Sequence, residues 1–296
     1  MSRKAPQSMP QGRYRLQPRA RMATRGPLWS ALAVALSAAG CAPPGPQATD
    51  LMIEPLRHRL ERGLAADTVL SYLKAGNQDG PRVILVHGTP GSASAWADYL
   101  TQPPPGVEVL ALDRPGFGHS GPAGAVTGLA EQAAAVVALF PLDDRPVVLL
   151  GHSLGGAIVA RVAADNPERV MSVVLLAASL DPALEKIHPL QHVGSWALVS
   201  RLLPRALRNA NAELMALQPE LRALGELLPR IRGKVVIVHG TLDDLVPVAN
   251  VEYMQARLSG ARCVHTTLLA GRNHFLPWNS EVAVREAIND ALEPGC

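Results

Sequence analysis

Pro146-Val147-Val148-Leu149-Leu150-Gly151-His152-Ser153-Leu154-Gly155-Gly156-Ala157-Ile158-Val159-Ala160 decides the fold, because it reads as a strand, a sharp turn and a helix in direct succession. The apolar run after Pro146 fits a buried parallel strand, and Ala157, Ile158 and Val162 share one helical face before Asn166-Pro167 ends it. Ser153 falls at the turn. A serine in so tight a turn is strained, and Gly151 and Gly155 supply both the bend and the space for helix and strand to close up. Its Oγ then projects above the sheet, where a base can reach it. The bare Gly-x-Ser-x-Gly pattern is weak by itself, and the strand–turn–helix context gives it weight. The competing reading is a surface turn whose serine does nothing.

Strand-length apolar runs recur on both sides of this unit, at residues 82–86, 107–112, 170–176, 235–238 and, more weakly, 263–268. A helix carrying Leu129, Ala133, Val136, Val137 and Phe140 precedes the central unit. Strands alternating with helices predict an α/β architecture, a mostly parallel central sheet with helices on both faces. Residues 68–72 read as a further strand at one edge. Between residues 181 and 232 the alternation stops. That stretch is rich in leucine and arginine, is punctuated by Pro182, Pro189, Pro204, Pro219 and Pro229, and carries helical patterns without a strand. It is expected to form a small helical lid that roofs an apolar pocket and controls water entry. Plain connecting helices are the alternative. With 296 residues and 48% hydrophobic content, the chain has core enough for one substantial domain, placed at residues 51–296.

Motifs in a fixed order resemble the α/β-hydrolase superfamily over about residues 68–292. His87-Gly88-Thr89-Pro90-Gly91 is similar to the superfamily's oxyanion loop, and Asp113-x-x-Gly116-x-Gly118-x-Ser120 to its second sheet-top loop. Gly151-His152-Ser153-Leu154-Gly155 is similar to its nucleophile elbow, and Gly240-x-x-Asp243-x-x-Val246-Pro247 to its acid turn. Gly271-Arg272-Asn273-His274-Phe275 looks like the late loop that carries the histidine, with Asn273 where the superfamily commonly has glycine. The chain order Ser, Asp, His is the one this fold uses. The resemblance implies a catalytic set of Ser153, Asp243 and His274, with the backbone N–H groups of Thr89 and Leu154 as oxyanion donors.

The chemistry explains these residue types. A neutral hydroxyl is a poor nucleophile, so His274 must take the Ser153 proton during attack and return it to the leaving group. Asp243 orients the imidazole and stabilises its charged form. Charge developing on the substrate carbonyl oxygen needs donors already aimed at it. Asp244 competes with Asp243, and motif spacing favours Asp243. Asp113 reads as a structural loop residue, and His87, His119, His152 and His239, which flank strand ends, read as loop hydrogen-bonders. His188, His192 and His265 have no assignable partner. No pair of histidines or cysteines has convincing metal-ligand spacing, and no cofactor is expected. Trp96 either lines the acyl pocket or packs in the core.

Before Pro27 the chain carries Arg3, Lys4, Arg13, Arg15, Arg19, Arg21 and Arg25 and no acid, and an apolar run of about 12 residues follows to Ala39. That is the shape of a signal peptide over residues 1–40, too short to span a membrane, which takes about 20. Met9 or Met22 are alternative starts. Ser37-Ala38-Ala39-Gly40-Cys41 resembles the lipobox of bacterial lipoproteins, with Ala38 where that family usually has leucine. The resemblance implies lipidation of Cys41, and Ala42 after it implies sorting to the outer membrane, facing the periplasm. Ordinary cleavage near Ala39 is the alternative, leaving a periplasmic or secreted protein. Residues 41–50 are Pro-rich, as a spacer between anchor and domain would be.

Taking the seven basic residues of the leader away from a net +3 leaves about −4, which gives no support to a basic nucleic-acid surface, and no nucleic-acid partner is expected. Of three cysteines, Cys263 and Cys296 remain in the domain. They can pair in an oxidising compartment, but an unpaired Cys263 in a strand and a frayed Cys296 are preferred here. The function expected is a serine hydrolase acting on carboxylic esters of small or apolar substrates through an acyl-enzyme. Carbon–carbon bond hydrolysis of a diketone, amide cleavage, acyl transfer and perhydrolysis would use the same residues. A serine at the elbow argues against the dehalogenase and epoxide hydrolase branches, whose nucleophile is aspartate. A non-catalytic binding protein on the same scaffold is the alternative of a different class.

Overall fold

The sheet is built of β1 (Arg57–Leu60), β2 (Leu70–Gly76), β3 (Arg82–Val86), β4 (Glu108–Asp113), β5 (Val147–His152), β6 (Val170–Leu176), β7 (Lys234–Gly240) and β8 (Val264–Leu269). These come from a computed structural model that describes residues 51–60 and 69–296. The signal peptide, the spacer and Cys41 lie outside the described residues. Strand order is β1-β2-β4-β3-β5-β6-β7-β8. From β4 to β8 every pairing is parallel, while β1–β2 and β2–β4 are antiparallel. The early strand expected at an edge is β2, and it lies second, because β1 pairs along it with Arg57 level with Leu73.

The central strands read as unbroken apolar runs because both faces are covered. Along β3, Ile84 and Val86 enter one core with Leu149 and Ile158, while Val83 and Leu85 enter the other with Trp96 and Leu150. The first core packs under α2 (Leu129–Val137), α3 (Leu154–Asp165) and, farther on, α6 (Arg205–Gly225) and α7 (Asn250–Arg257). The second packs under α1 (Ala97–Thr101) and α9 (Glu281–Leu292), with α8 (Leu276–Asn279) leading into α9. Leu85 and Leu150 are level across the β3–β5 pair and fully buried, each stabilising by roughly 1.5–3 kcal/mol. Trp96 is buried in the second core, edge-on to Tyr99.

Because β4 and β5 flank β3, the loops after these three strands open at one end of the sheet, where chain direction away from β3 reverses. Such crevices are where open α/β sheets bind ligands.

Between β6 and β7 lie α4 (Pro189–Gly194), α5 (Ala197–Leu202) and α6, with a 3₁₀ turn at Leu228–Arg230. Pro189 occupies the first turn of α4, Pro204 the N-cap of α6 and Pro229 the 3₁₀ turn, as boundary prolines should. Pro219 is different, lying inside α6. Burial of Leu217, Leu221 and Leu224 against the body carries the helix past the hydrogen bond that proline forfeits.

The preference for unpaired cysteines is overturned. Cys263 and Cys296 form a disulfide, their Cα atoms 6.2 Å apart. α9 folds back along β6 and β7, where Ser172 Oγ donates to Ala291 O and Lys234 Nζ donates to Asp290 O at 2.7 Å. That return delivers the C-terminus to the start of β8, a proximity no sequence spacing reveals.

Candidate active site

β5 and α3 meet at Ser153, whose φ of 57° and ψ of −126° lie outside the regions other side chains favour. Such a backbone costs about 1–3 kcal/mol and persists only where its surroundings impose it. Here Ser153 N donates to Leu176 O at 3.0 Å, and Ser153 O accepts from Gly156 N at 2.9 Å and Ser179 N at 3.3 Å. A Cβ on Gly155 would stand 2.4 Å from Val86 O, so glycine there lets α3 seat on β3. The Ser153 side chain does not cap α3. Its hydroxyl lies against the loop after β3, where a Cβ on Gly88 would stand 3.3 Å from Oγ.

His274 and Asp243 form the buried half of the site. The loop after β7 brings in Asp243, whose Oδ1 accepts from Leu245 N at 3.0 Å and Val246 N at 2.8 Å. Its Oδ2 accepts from His274 Nδ1 at 2.8 Å, with His239 Nε2 at 3.5 Å. Asp244 points to solvent, as the spacing argument preferred. With Nδ1–H donated to the carboxylate, His274 has Nε2 free to accept. Asn273, the departure from glycine, accepts from Phe275 N at 3.2 Å and Asn279 Nδ2 at 2.6 Å, and so ties the His274 turn to α8.

His152 joins this pair to the elbow. Next to Ser153 in the chain, it donates from Nε2 to His274 O at 2.9 Å, and the two rings stand 4.7 Å apart. Burial, with the neighbouring His274 ring, pushes its pKa down to about 3, so it stays neutral. Between Ser153 Oγ and the His274 ring the structure forms no hydrogen bond. In unliganded sites that contact is commonly long and tightens with substrate. His239, also held neutral by burial, donates to Val246 O at 2.9 Å and braces the acid turn.

The loop after β3 closes the crevice opposite. A Cβ on Gly88 would stand 2.8 Å from Ser153 Cβ, so the chain entering Thr89 runs directly against the serine. Leu154 is the first residue of α3, where backbone N–H groups have no helical partner. A cavity of about 400 Å³ continues from Pro90, Gly91 and Ser92 past Phe117 to Arg205 and Ala206 at the start of α6. Among the described residues no group of three or more His, Cys, Asp or Glu is placed to hold a metal ion.

Asp113 is committed to loops, accepting from Ala93 N at 2.7 Å, Arg57 Nη1 at 2.8 Å and His119 N at 3.1 Å. Its neighbour Arg114 was not singled out in the sequence. It is fully buried and pairs with both carboxylate oxygens of Glu213 on α6, at 2.6 and 3.0 Å. Glu213 belongs to a row at helical spacing. Arg205 donates to Gly118 O at 3.1 Å and Pro122 O at 2.9 Å, Asn209 to Gly116 O at 2.8 Å, and Glu220 accepts from Leu129 N at 2.8 Å. The i, i+4 spacing of Arg205, Asn209 and Glu213 was the available signal, but on its own it reads as a solvated helix face.

Residues 81–198 match the family model described as the alpha/beta hydrolase fold. The chain has the alpha/beta hydrolase fold, with a mostly parallel eight-stranded sheet flanked by helices. It is 40% identical over 203 residues to the dihydrolipoyllysine-residue acetyltransferase component of the acetoin cleaving system of Cupriavidus necator, covering 57% of this chain and 54% of that one. It therefore spans about half the length of that relative. It is 28% identical over 231 residues to the pimeloyl-acyl-carrier-protein methyl ester esterase of Aeromonas hydrophila, covering 62% of this chain and 86% of that one. A carboxylesterase from Bacillus subtilis shares the fold with a TM-score of 0.60 at 19% identity, over 84% of this chain and 97% of that one.

Proposed function

We propose that the protein is a serine hydrolase that cleaves carboxylic esters of small or apolar substrates. Ser153 attacks the carbonyl, His274 Nε2 takes its proton, and Asp243 holds the imidazole in the tautomer that can accept it. The tetrahedral oxyanion is received by Thr89 N–H and Leu154 N–H, and its collapse leaves an acyl-enzyme that water then cleaves. The observation that carries this reading is the buried Asp243–His274 hydrogen bond of 2.8 Å, joined through His152 to a serine held at positive φ. The names of the Aeromonas hydrophila and Bacillus subtilis proteins agree with ester cleavage. The cavity beside the oxyanion loop, with α4 to α6 as its lid, is where the acyl or alcohol portion would lie. Incubation with a fluorophosphonate probe tests the proposal. Labelling of the wild type and not of Ser153→Ala supports it, and no labelling of folded wild type rejects it in favour of a binding protein.

Acyl transfer is the second reading, favoured by the Cupriavidus necator relative, whose name is that of an acetyltransferase component. Adding alcohols or thiols to a p-nitrophenyl ester assay separates the two. Acyl transfer predicts an acylated acceptor in place of free acid.

We further propose export through the leader at residues 1–40 and anchoring through lipid on Cys41 at the outer membrane. The Cys263–Cys296 disulfide fits an oxidising compartment. Palmitate labelling lost in Cys41→Ser supports the anchor, and labelling that persists removes it.

A further inference from the structure

We propose that Arg114 and Glu213 are positioning residues that aim the Thr89 N–H at the reacting carbonyl, so that a helix of the insertion sets the geometry of the oxyanion site. The inference rests on the reading of Thr89 N–H as an oxyanion donor and adds how that donor is held.

The Gly88 carbonyl and the Thr89 N–H belong to one peptide unit. That unit is trans, the cis bonds being Thr89-Pro90 and Gly121-Pro122. In a planar trans peptide C=O and N–H point in opposite directions, so fixing the oxygen fixes the hydrogen. Gly88 O accepts from Arg114 Nη2 at 3.0 Å and from His87 Nδ1 at 2.7 Å. His87 Nε2 meanwhile accepts from Arg114 N at 3.1 Å, which places the ring proton on Nδ1 as a donor. Burial, with the Arg114 charge beside it, holds His87 well below its usual pKa and keeps it neutral.

Arg114 can serve this role only if its own charge is held. It is fully buried, and Glu213, only 2% exposed, takes two of its nitrogens in a fork geometry while Nη2 also reaches Gly88 O. Gln132 Nε2 donates to Glu213 Oε1 at 3.1 Å and fixes the carboxylate in turn. A guanidinium donor on the carbonyl also polarises the peptide and strengthens its N–H as a donor, which a neutral donor would do less. A buried ion pair is weak evidence for stability, so its placement on this one carbonyl calls for another role.

The test uses the full chain with a p-nitrophenyl ester and an alkyl boronic acid, whose tetrahedral serine adduct puts an oxygen where the oxyanion would lie. Glu213→Gln keeps the shape and Arg114→Lys keeps the charge, and thermal unfolding identifies the folded variants. A lost oxyanion donor typically costs about 10²–10³ in kcat, so a misaimed one is expected to cost at least about tenfold. KM should stay within about twofold, and boronate affinity should fall by the same factor as kcat. In Arg114→Ala, guanidinium at millimolar concentration should restore part of kcat. If folded Glu213→Gln and Arg114→Lys keep kcat and boronate affinity within about twofold of wild type, while Ser153→Ala is inactive, the positioning role is overturned and the serine reading stands. If Ser153→Ala remains active, the serine reading fails and takes this inference with it.

Discussion

Replacing Asp243 with asparagine has an outcome that the hydrogen bonds around it dictate. Oδ1 accepts from two backbone N–H groups, those of Leu245 and Val246, so after substitution the side-chain amide must keep its oxygen at that position. The amide NH₂ then replaces Oδ2, where it faces His274 Nδ1–H donor to donor. The imidazole escapes by moving its proton to Nε2, and in that tautomer it cannot take the Ser153 proton. A wrong tautomer in such a set typically costs about 10⁴ in kcat, equivalent to about 5.4 kcal/mol of barrier. Asp243→Asn should therefore fold as the wild type does and hydrolyse a p-nitrophenyl ester about 10⁴-fold more slowly. Part of the activity should return at high pH, where hydroxide can take the serine proton. Steady-state kinetics beside thermal unfolding is the assay. Activity within about tenfold of wild type, with Ser153→Ala inactive, would refute the assignment of Asp243.

Further outcomes follow from other features. Removing the disulfide as Cys263→Ser with Cys296→Ser releases a loop of sequence separation 33 and should lower unfolding free energy by about 4 kcal/mol in urea titration; an unchanged midpoint contradicts this. Gly88→Ala should fold yet lose most activity, because the new methyl stands where Ser153 Cβ needs room; full activity would show that the loop yields. His152 has a folded pKa of about 3 against an unfolded 6.5, so the unfolded state binds the proton first as pH falls. Its contribution is complete above pH 6.5 and is lost between about pH 6.5 and 3, at up to about 1.4 kcal/mol per pH unit. Unfolding free energy measured across that range should fall less steeply in His152→Gln; equal slopes contradict it.

The central strands were readable because a doubly covered parallel sheet demands continuous apolar runs, as in Val147–His152 and Lys234–Gly240. β1 was not, since Arg57-His58-Arg59-Leu60 has no such run and owes its place to pairing with β2. The positions of Ser153, Asp243 and His274 at strand ends were legible through motif spacing, and the structure brings Asp243 and His274 into contact. Arg114 and Glu213 were invisible because they are 99 residues apart and gain meaning only as a pair. The disulfide was missed for the same reason, as the path of α9 decides whether its cysteines meet.

Helix α6 is stitched to the sheet-top loops at Arg205, Asn209, Glu213 and Glu220, whereas α4 and α5 bury none of their residues. The segment between β6 and β7 thus has a buried inner helix and an exposed outer part, which Asn211 Nδ2 ties to α6 by donating to Gln191 O at 3.0 Å. Under the proposed lid role, exchanging residues 186–203 for another sequence is expected to change which esters are cleaved while the buried Asp243–His274 hydrogen bond stays in place.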